Sequence, residues 1–333
     1  MRILLLGGTW FLGRAIAQRA LLSGHDVTTF NRGRSAPDLH GIAVVRGDRT
    51  DEDDVRRLAS HGPWDVVVDT SASEMAPYQV QAAARMLAGV ADRYVYLSTV
   101  NAYTGWPHEP LDESSPTYYA PPNSGRDFGA EQGTTIHYGM QKAGCENAVR
   151  DAFGEYATIL RPGVILGPGE YVGRLPWWLR RSERGGAILA PGRPVQSIQP
   201  VDVRDVAAFA LDAPLGDFNV AAPQGRATMG DFLTACLEAT GGRGRLVWAP
   251  DGLLKKFGVR EWTEMPLWRT AHGAWAVDSR RAVGAGLSCR PLEQTVADTW
   301  AWLVSGQEPV KHPRWDDHGI DSEKEQKILA VLG

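Results

Sequence analysis

An α/β fold, a doubly wound parallel sheet followed by a smaller C-terminal domain, is what this sequence predicts, on three observations. Short apolar runs alternate with helical patterns through the first half of the 333 residues, as they do where crossover helices join parallel strands. The first run ends in a glycine-rich turn, Gly7-Gly8-Thr9-Trp10-Phe11-Leu12-Gly13. A later helical segment carries Tyr138 and Lys142 four residues apart, which sets a phenol and an ammonium on one helix face.

Taken in order, Ile3–Leu6 reads as a buried strand and Phe11–Ser23 as a helix that Gly24 ends. Val27–Phe30 and Ile42–Arg46 are the next strands, and Thr50 followed by Asp53 suggests a cap for a helix running to Leu58. Val66–Asp69 is a strand, Pro77–Val90 a helix, and Tyr94–Ser98 a further strand. Residues 104–135, rich in Pro, Gly, Ser and Tyr, have no period and read as a long loop, a feature usually functional or mobile. Ile136–Phe153 is the helix with Tyr138 and Lys142, and Ala157–Leu160 the strand after it.

Beyond Arg161 the pattern loosens. Pro and Gly punctuate residues 162–196, and Val201–Asp212 is regular again. Tryptophans become frequent (Trp177, Trp178, Trp248, Trp262, Trp268, Trp275, Trp300, Trp302, Trp315). Most are expected to pack a second domain, with one or two lining a substrate pocket. The charged stretch Asp316–Lys327 reads as a solvated terminal helix. The resulting division is a dinucleotide-binding domain over 1–165, with returning segments near 195–212 and 275–285, and a mainly substrate-binding part over 166–333.

Composition narrows the function classes. A net charge of -4 offers no overall attraction to nucleic acid or an anionic membrane. Cys145, Cys236 and Cys289 form no CxxC and no even set, so neither a disulfide framework nor a metal site is expected, and a reduced, cytoplasmic setting fits. Ile3–Leu6 is too short for a signal-peptide core, and no apolar run approaches membrane-spanning length.

The chemistry comes from two places. In the glycine turn, Gly7 permits the tight bend and Gly13 lets the helix lie close to the sheet, so that the helix N-terminus offers N–H groups to a pyrophosphate. At the end of the second strand the chain reads Asn31-Arg32-Gly33-Arg34, with no carboxylate for a ribose hydroxyl. Arg32, aided by Arg34, can meet a 2′-phosphate, which favours NADP(H) over NAD(H). At the other place, a tyrosine with an ordinary pKa of about 10 exchanges protons poorly near neutrality, and the Lys142 ammonium lowers that pKa by favouring the phenolate.

At this point the residues resemble a family, the extended short-chain dehydrogenase/reductases of the NAD(P)-dependent epimerase/dehydratase group. The likeness covers nearly the whole length. It runs through the glycine turn, Gly47-Asp48-Arg49, Leu97-Ser98-Thr99 with Ala102-Tyr103, and Tyr138 to Lys142. It continues through Leu160-Arg161-Pro162-Gly163, Gly167-Pro168, Val203-Arg204-Asp205-Val206 and Phe218-Asn219-Val220. The resemblance implies a Rossmann-type domain, a catalytic set of Thr99, Tyr138 and Lys142, and a cofactor held by Gly7, Thr9, Trp10, Phe11, Leu12, Gly13, Asn31, Arg32, Arg34, Asp48, Arg49 and Lys142. Asp48 falls where the family commonly touches adenine, and a homodimer through helices 77–90 and 136–153 is implied.

Three departures matter. The family's turn is usually GxxGxxG, and Trp10 stands at the middle glycine, as in a GGTxFxG subgroup that includes RNA-binding relatives. Thr99 is followed by Val100-Asn101 where sugar-nucleotide dehydratases carry Asp-Glu. The arginine that many nucleotide-sugar enzymes place on a diphosphate is Ile198 here, with Arg193 nearby. The expectation is therefore an NADPH-dependent reductase of a ketone on a sugar-like or secondary-metabolite small molecule, with Thr99 stabilising the oxyanion, Tyr138 giving the proton and Lys142 lowering its pKa. The alternatives are an epimerase or dehydratase that retains its NAD(P), and a non-enzymatic nucleotide-sensing or RNA-binding protein.

Overall fold

The computed structural model describes residues 1–72, 74–307 and 315–333. The chain forms two compact units, the first Met1–Gly163, Val203–Ala221 and Val277–Ser288, the second Val164–Asp202, Ala222–Ala276 and Cys289–Gly333. No described helix is long and apolar enough to cross a membrane.

In the first unit the order is β1 (Arg2–Leu6), α1 (Phe11–Leu22), β2 (Asp26–Asn31), β3 (Ala43–Arg46), α2 (Glu52–Ala59), β4 (Trp64–Asp69), α3 (Pro77–Leu87), β5 (Ala91–Leu97), α4 (Thr134–Phe153), β6 (Ala157–Pro162), then α5 (Val203–Asp212) and β7 (Gly216–Val220). One seven-stranded sheet results, in the order β7-β6-β5-β4-β1-β2-β3, with every neighbouring pair parallel. Helices cover both faces of such a sheet, so its strands are apolar throughout rather than alternating. Leu4, Leu5, Val66, Val67, Val68, Tyr94, Val95 and Tyr96 are accordingly fully buried. The crossover direction reverses between β1 and β4, which opens a crevice at the carboxyl ends of those two strands.

Local chemistry sets the helix ends. Gly24 follows α1 at φ +74, a left-handed conformation that glycine adopts without penalty. The α2 cap is Asp51, whose carboxylate accepts from the N–H groups of Asp53 (2.9 Å) and Asp54 (3.1 Å). Thr50, the expected cap, instead donates its hydroxyl to Asp48 at 2.8 Å. The N-cap must be extended and directly precede the first turn, as Asp51 does at φ -97 and ψ 121. Helix α3 stops at Leu87, short of Val90, because Val90 N turns back to Leu87 O at 3.0 Å.

The segment read as a loop is laid along α4. Gln141 donates to the carbonyl of Phe128 (2.9 Å), Asn147 to that of Ala120 (3.0 Å), and the His137 ring bonds the carbonyl of Arg126 (2.8 Å). On its other side α4 meets α3, where Arg85 Nη2 and Gln81 donate to Asp151 at 2.7 and 3.0 Å. Between these neighbours residues 139–149 of α4 are buried with the exception of Met140 and Asn147, which are half-buried. Helices α3 and α4 thus pack on each other, and α4 is further covered by residues of its own chain.

The second unit packs around Trp178, Phe232 and Trp268, all fully buried, beside a parallel pair of strands, Gly186–Pro191 and Gly244–Ala249. Trp178 Nε1 donates to Pro266 O and Trp268 Nε1 to Asp251, each at 2.8 Å, so both indoles keep a polar partner inside the core. Trp262 is different: the guanidiniums of Arg174 and Arg269 lie 4.9 and 4.5 Å from its ring. The terminal helix is Ser322–Leu332, later than the sequence suggested, and it is not simply solvated. Glu325 is buried and accepts from Arg181 Nε at 2.9 Å, and Ile328 enters the core.

Candidate active site

The glycine turn leaves β1 at the crevice. Gly7 and Gly8 have φ of +106 and +96, angles open to glycine and costly for any other residue. A Cβ on Gly13 would lie 2.7 Å from Thr70 Oγ1 and 2.9 Å from Gly8 N, so only glycine lets α1 begin this close to β1 and β4. Trp10 is extended and half-buried, and Phe11 opens the helix at φ +28. Thr9 is buried and Leu12 half-buried. No side chain caps α1 and no acid lies in its first turn, so its leading N–H groups and positive dipole end face the crevice. This is a fit for a pyrophosphate.

At the ends of β2 and β3 the expected residues come together with two additions. Arg32 pairs with Asp48 at 3.6 Å, and Asp48 also accepts from Thr50 N and Oγ1. Those Thr50 hydrogen bonds, with the charges of Arg32 and Arg34, hold the Asp48 carboxyl below its usual range. Arg34 is exposed and makes no ion pair among the described residues. The reading of no carboxylate at this strand end needs correction. The chain folds back so that Asp38 accepts from Asn31 Nδ2 at 3.2 Å, and Asp38 forms an ion pair with Arg46 of β3. A separation of seven positions along the chain hides that contact from any local motif.

Arg49 turns its side chain inward. It is buried, and its Nη1 donates to Asp69 at 2.6 Å and to Ser71 Oγ at 2.8 Å. Tyr94 donates its hydroxyl to the same carboxylate at 2.7 Å. Burial acts to raise the Asp69 pKa, but the Arg49 guanidinium outweighs it and holds the carboxyl below the usual range. Among the described residues, Arg49 Nε and Nη2 are buried without a hydrogen-bond partner.

Thr99, Tyr138 and Lys142 lie at the carboxyl end of β5. Lys142 is buried, donates to Leu97 O at 2.8 Å, and stands 4.3 Å from the Tyr96 ring centroid. Burial lowers its pKa, opposed by the nearby carboxylates of Asp69 and Glu146. Tyr138, one turn earlier on α4, is 37% exposed. The Thr99 hydroxyl accepts from Asn101 N at 3.2 Å, capping a single turn over Val100–Ala102, and lies 3.4 Å from Asn101 Oδ1. Gly139, beside Tyr138, closes the gap between these segments. A Cβ there would run into Asn101 O and come 2.8 Å from the Tyr118 ring. Sequence reasoning missed Gly139 and Asn101. A glycine between Tyr138 and Lys142 in YGMQK was the available signal.

A second buried ion pair braces this end. Glu146, one turn beyond Lys142, accepts from Arg161 Nε at 2.9 Å and from Ser98 Oγ. Arg161 Nη1 donates to Tyr103 Oη (2.9 Å), and Tyr103 donates to Asn219 (2.8 Å). Burial, partly offset by Arg161, pushes the Tyr103 pKa up to about 12. One ion pair therefore ties down both flanks of the Thr99 turn, Ser98 before it and Tyr103 after it.

The comparisons with known proteins agree with this geometry. Residues 3–214 match the model of the NAD dependent epimerase/dehydratase family. The chain is 28% identical over 264 residues to the chloroplast stem-loop binding protein of 41 kDa b of Arabidopsis thaliana, covering 72% of this chain and 63% of that protein. It is 30% identical over 199 residues to 2′-dehydrokanamycin reductase of Streptomyces kanamyceticus, covering 57% and 51% respectively. The chain thus spans between about half and two thirds of the length of these relatives. Among solved structures, the Bordetella bronchiseptica enzyme WbmG in complex with NAD has a TM-score of 0.67 at 18% identity, over 93% of this chain and 96% of that one. UDP-glucose 4-epimerase of Thermotoga maritima, solved with UDP-glucose, has a TM-score of 0.66 at 18% identity, over 92% and 100%. Glycine turn, sheet order and family match converge: the chain belongs to the NAD-dependent epimerase/dehydratase family of extended short-chain dehydrogenase/reductases.

Proposed function

We propose that this chain reduces a ketone on a sugar-like or aminocyclitol ring, using NADPH. The observation that carries the reading is Lys142, a buried ammonium anchored by one hydrogen bond two residues before Thr99, with Tyr138 one turn away on the same helix. The crevice would hold the nicotinamide cofactor, whose chemistry there would be hydride donation to the carbonyl carbon. Tyr138 gives its phenolic proton to the carbonyl oxygen, and the Lys142 charge favours the phenolate left behind. Solvent restores that proton, since Tyr138 stays partly exposed. The Thr99 turn presents the second donor to the same oxygen. Lys142 has three donors and spends one on Leu97 O, which leaves two for the hydroxyls of a ribose. The relative named 2′-dehydrokanamycin reductase supports the substrate class.

The cofactor preference rests on Arg34 and Arg32 at the mouth of β2, which suit a 2′-phosphate. Asp38 beside Asn31 favours a second reading, NAD held through an oxidation and re-reduction of one bound substrate. The test is to denature the purified protein, identify released nucleotide, and titrate the apo chain with NADPH and NADH. Exchangeable NADPH, bound more tightly than NADH, supports the reductase. Stoichiometric retained NAD supports the second reading. Binding of neither nucleotide sinks both and makes a salt-dependent RNA-binding assay the next step. Tyr138→Phe should lower turnover by roughly 10² to 10⁴ and leave nucleotide affinity unchanged.

A further inference from the structure

We infer that Tyr96 is a positioning residue for Lys142: its ring face holds the ammonium at the carboxyl end of β5 and leaves the lysine's N–H donors free for a bound nucleotide. This rests on the reading above only in giving Lys142 its task. Residues two apart on a strand stand on the same side of the sheet, and Tyr94 and Tyr96, both fully buried, lie on the side of β5 that meets α4. Their partners differ. Tyr94 packs on Phe153 of α4 with ring centroids 5.0 Å apart and donates its hydroxyl to Asp69 at 2.7 Å. Tyr96 places its ring centroid 4.3 Å from Lys142 Nζ. Its hydroxyl has no hydrogen-bond partner among the described residues, with the Cys145 thiol as polar neighbour. The ring and not the hydroxyl is therefore what this position supplies.

The groups around Lys142 explain why a ring serves here. A buried ammonium needs compensation, and burial lowers the Lys142 pKa. Two carboxylates lie near, Asp69 of β4 and Glu146 of α4, and both are committed elsewhere. Asp69 accepts from Arg49 and Tyr94, and Glu146 from Arg161 and Ser98. The Arg49 guanidinium adds a repelling charge. Burial pushes the Cys145 thiol up, so it is neutral near pH 7, and Tyr138 stands one turn earlier on α4 as the proton donor. Among the described residues the one hydrogen bond of Lys142 goes to Leu97 O at 2.8 Å, and the Tyr96 ring supplies the other direct attraction. A carboxylate in that place would grip the ammonium through its N–H groups and take up the donors a ribose needs. A π face attracts the positive charge as a whole, most strongly where water is excluded. Lys142 is then pinned with two donors to spare.

The test reads the charge of Lys142 directly. The sequence has six lysines, so isotope-labelled lysine side chains can be titrated by NMR in the protein without nucleotide, with Lys142→Met identifying the resonance. Tyr96→Phe should keep the wild-type Lys142 midpoint. Tyr96→Leu should lower it by roughly one pH unit, the scale of a desolvated cation–π contact. A ring-trifluorinated phenylalanine at position 96 keeps the packing of Phe but strips the ring face of its negative potential. It should lower the midpoint as Leu does, which decides the matter even if the leucine variant fails to fold. In the same two variants the alkaline limbs of NADPH affinity, and of NADPH oxidation with phenanthrenequinone as probe, should move to lower pH, because the ammonium is lost earlier. Equal midpoints for the phenylalanine and trifluorophenylalanine variants overturn the inference, as does a Tyr96→Phe midpoint as low as that of Tyr96→Leu, which assigns the effect to the hydroxyl. Unchanged midpoints beside normal turnover overturn this inference alone. A wild type that binds NADPH but does not reduce the probe sinks the reductase reading, and the lysine midpoints still decide the role of Tyr96.

Discussion

In the first unit two buried arginine–carboxylate pairs, Arg49 with Asp69 and Arg161 with Glu146, are built differently. Arg161 and Glu146 form a closed set, with Ser98, Tyr103 and Asp217 taking up their remaining bonds. Arg49 and Asp69 share Ser71 and Tyr94, yet among the described residues two guanidinium nitrogens stay buried without a partner. Satisfied buried networks fix a geometry, and unsatisfied ones cost stability. The difference teaches that the end of the crevice holding the proposed catalytic set is braced, while the pair beneath the glycine turn is a place where the fold tolerates unmet hydrogen bonds.

Breaking either pair on one side is the largest expected effect. Asp69→Ala or Glu146→Ala strands a buried guanidinium and should cost about 3–5 kcal/mol in denaturant unfolding. Only the Glu146 variant should also slow turnover at saturating substrate, since only it releases Ser98. Equal loss of activity in both would erase the distinction.

Replacing a whole pair by apolar groups sharpens the comparison. Arg49→Met with Asp69→Leu and Tyr94→Phe should be neutral or stabilising, within about 1–4 kcal/mol, as for other buried ion pairs. The same exchange at Arg161 and Glu146 should leave Ser98 and Tyr103 unsatisfied and cost rate. The pH dependence separates them further. The folded-state pKa of Asp69 is lowered, so its contribution is present above the ordinary carboxylate value of about 4. That contribution is lost as the pH falls through the lowered folded value. Acid unfolding curves should therefore flatten in the Arg49/Asp69/Tyr94 variant, and an unchanged acid limb would remove Asp69 from the account.

A smaller effect is expected at Gly139. Gly139→Ala forces α4 away from Asn101 and should cost about 1–3 kcal/mol, the range for overpacking, together with a larger proportional loss of turnover. A variant with wild-type rate would show that the approach of Asn101 to α4 is not needed.

The sheet was legible because strands buried on both faces leave apolar runs, such as Val66–Val68, that no surface requirement interrupts. The glycine turn was legible because it sits between a strand and a helix. What escaped notice depends on approach between distant segments. Asp38 reaches Asn31 only after the turn folds, Arg49 meets Asp69 across 20 residues, and Gly139 shows its purpose only once Asn101 lies against it. Alternation of apolar and polar residues carries no trace of these contacts. The helix cap was misplaced by one residue for a related reason, since Asp51 and Thr50 are both able caps and backbone geometry chooses between them.

The segment laid along α4 is held through its backbone. The carbonyls of Ala120, Gly125, Arg126 and Phe128 accept from Asn147, Gln141 and His137 of the helix. At these four residues its route is thus written in the helix, while Tyr118 and Ala120 pack their side chains against Gly139 and Gly144. Where only a carbonyl makes the contact, the side chain is free to change in sequence while the segment keeps its course along α4.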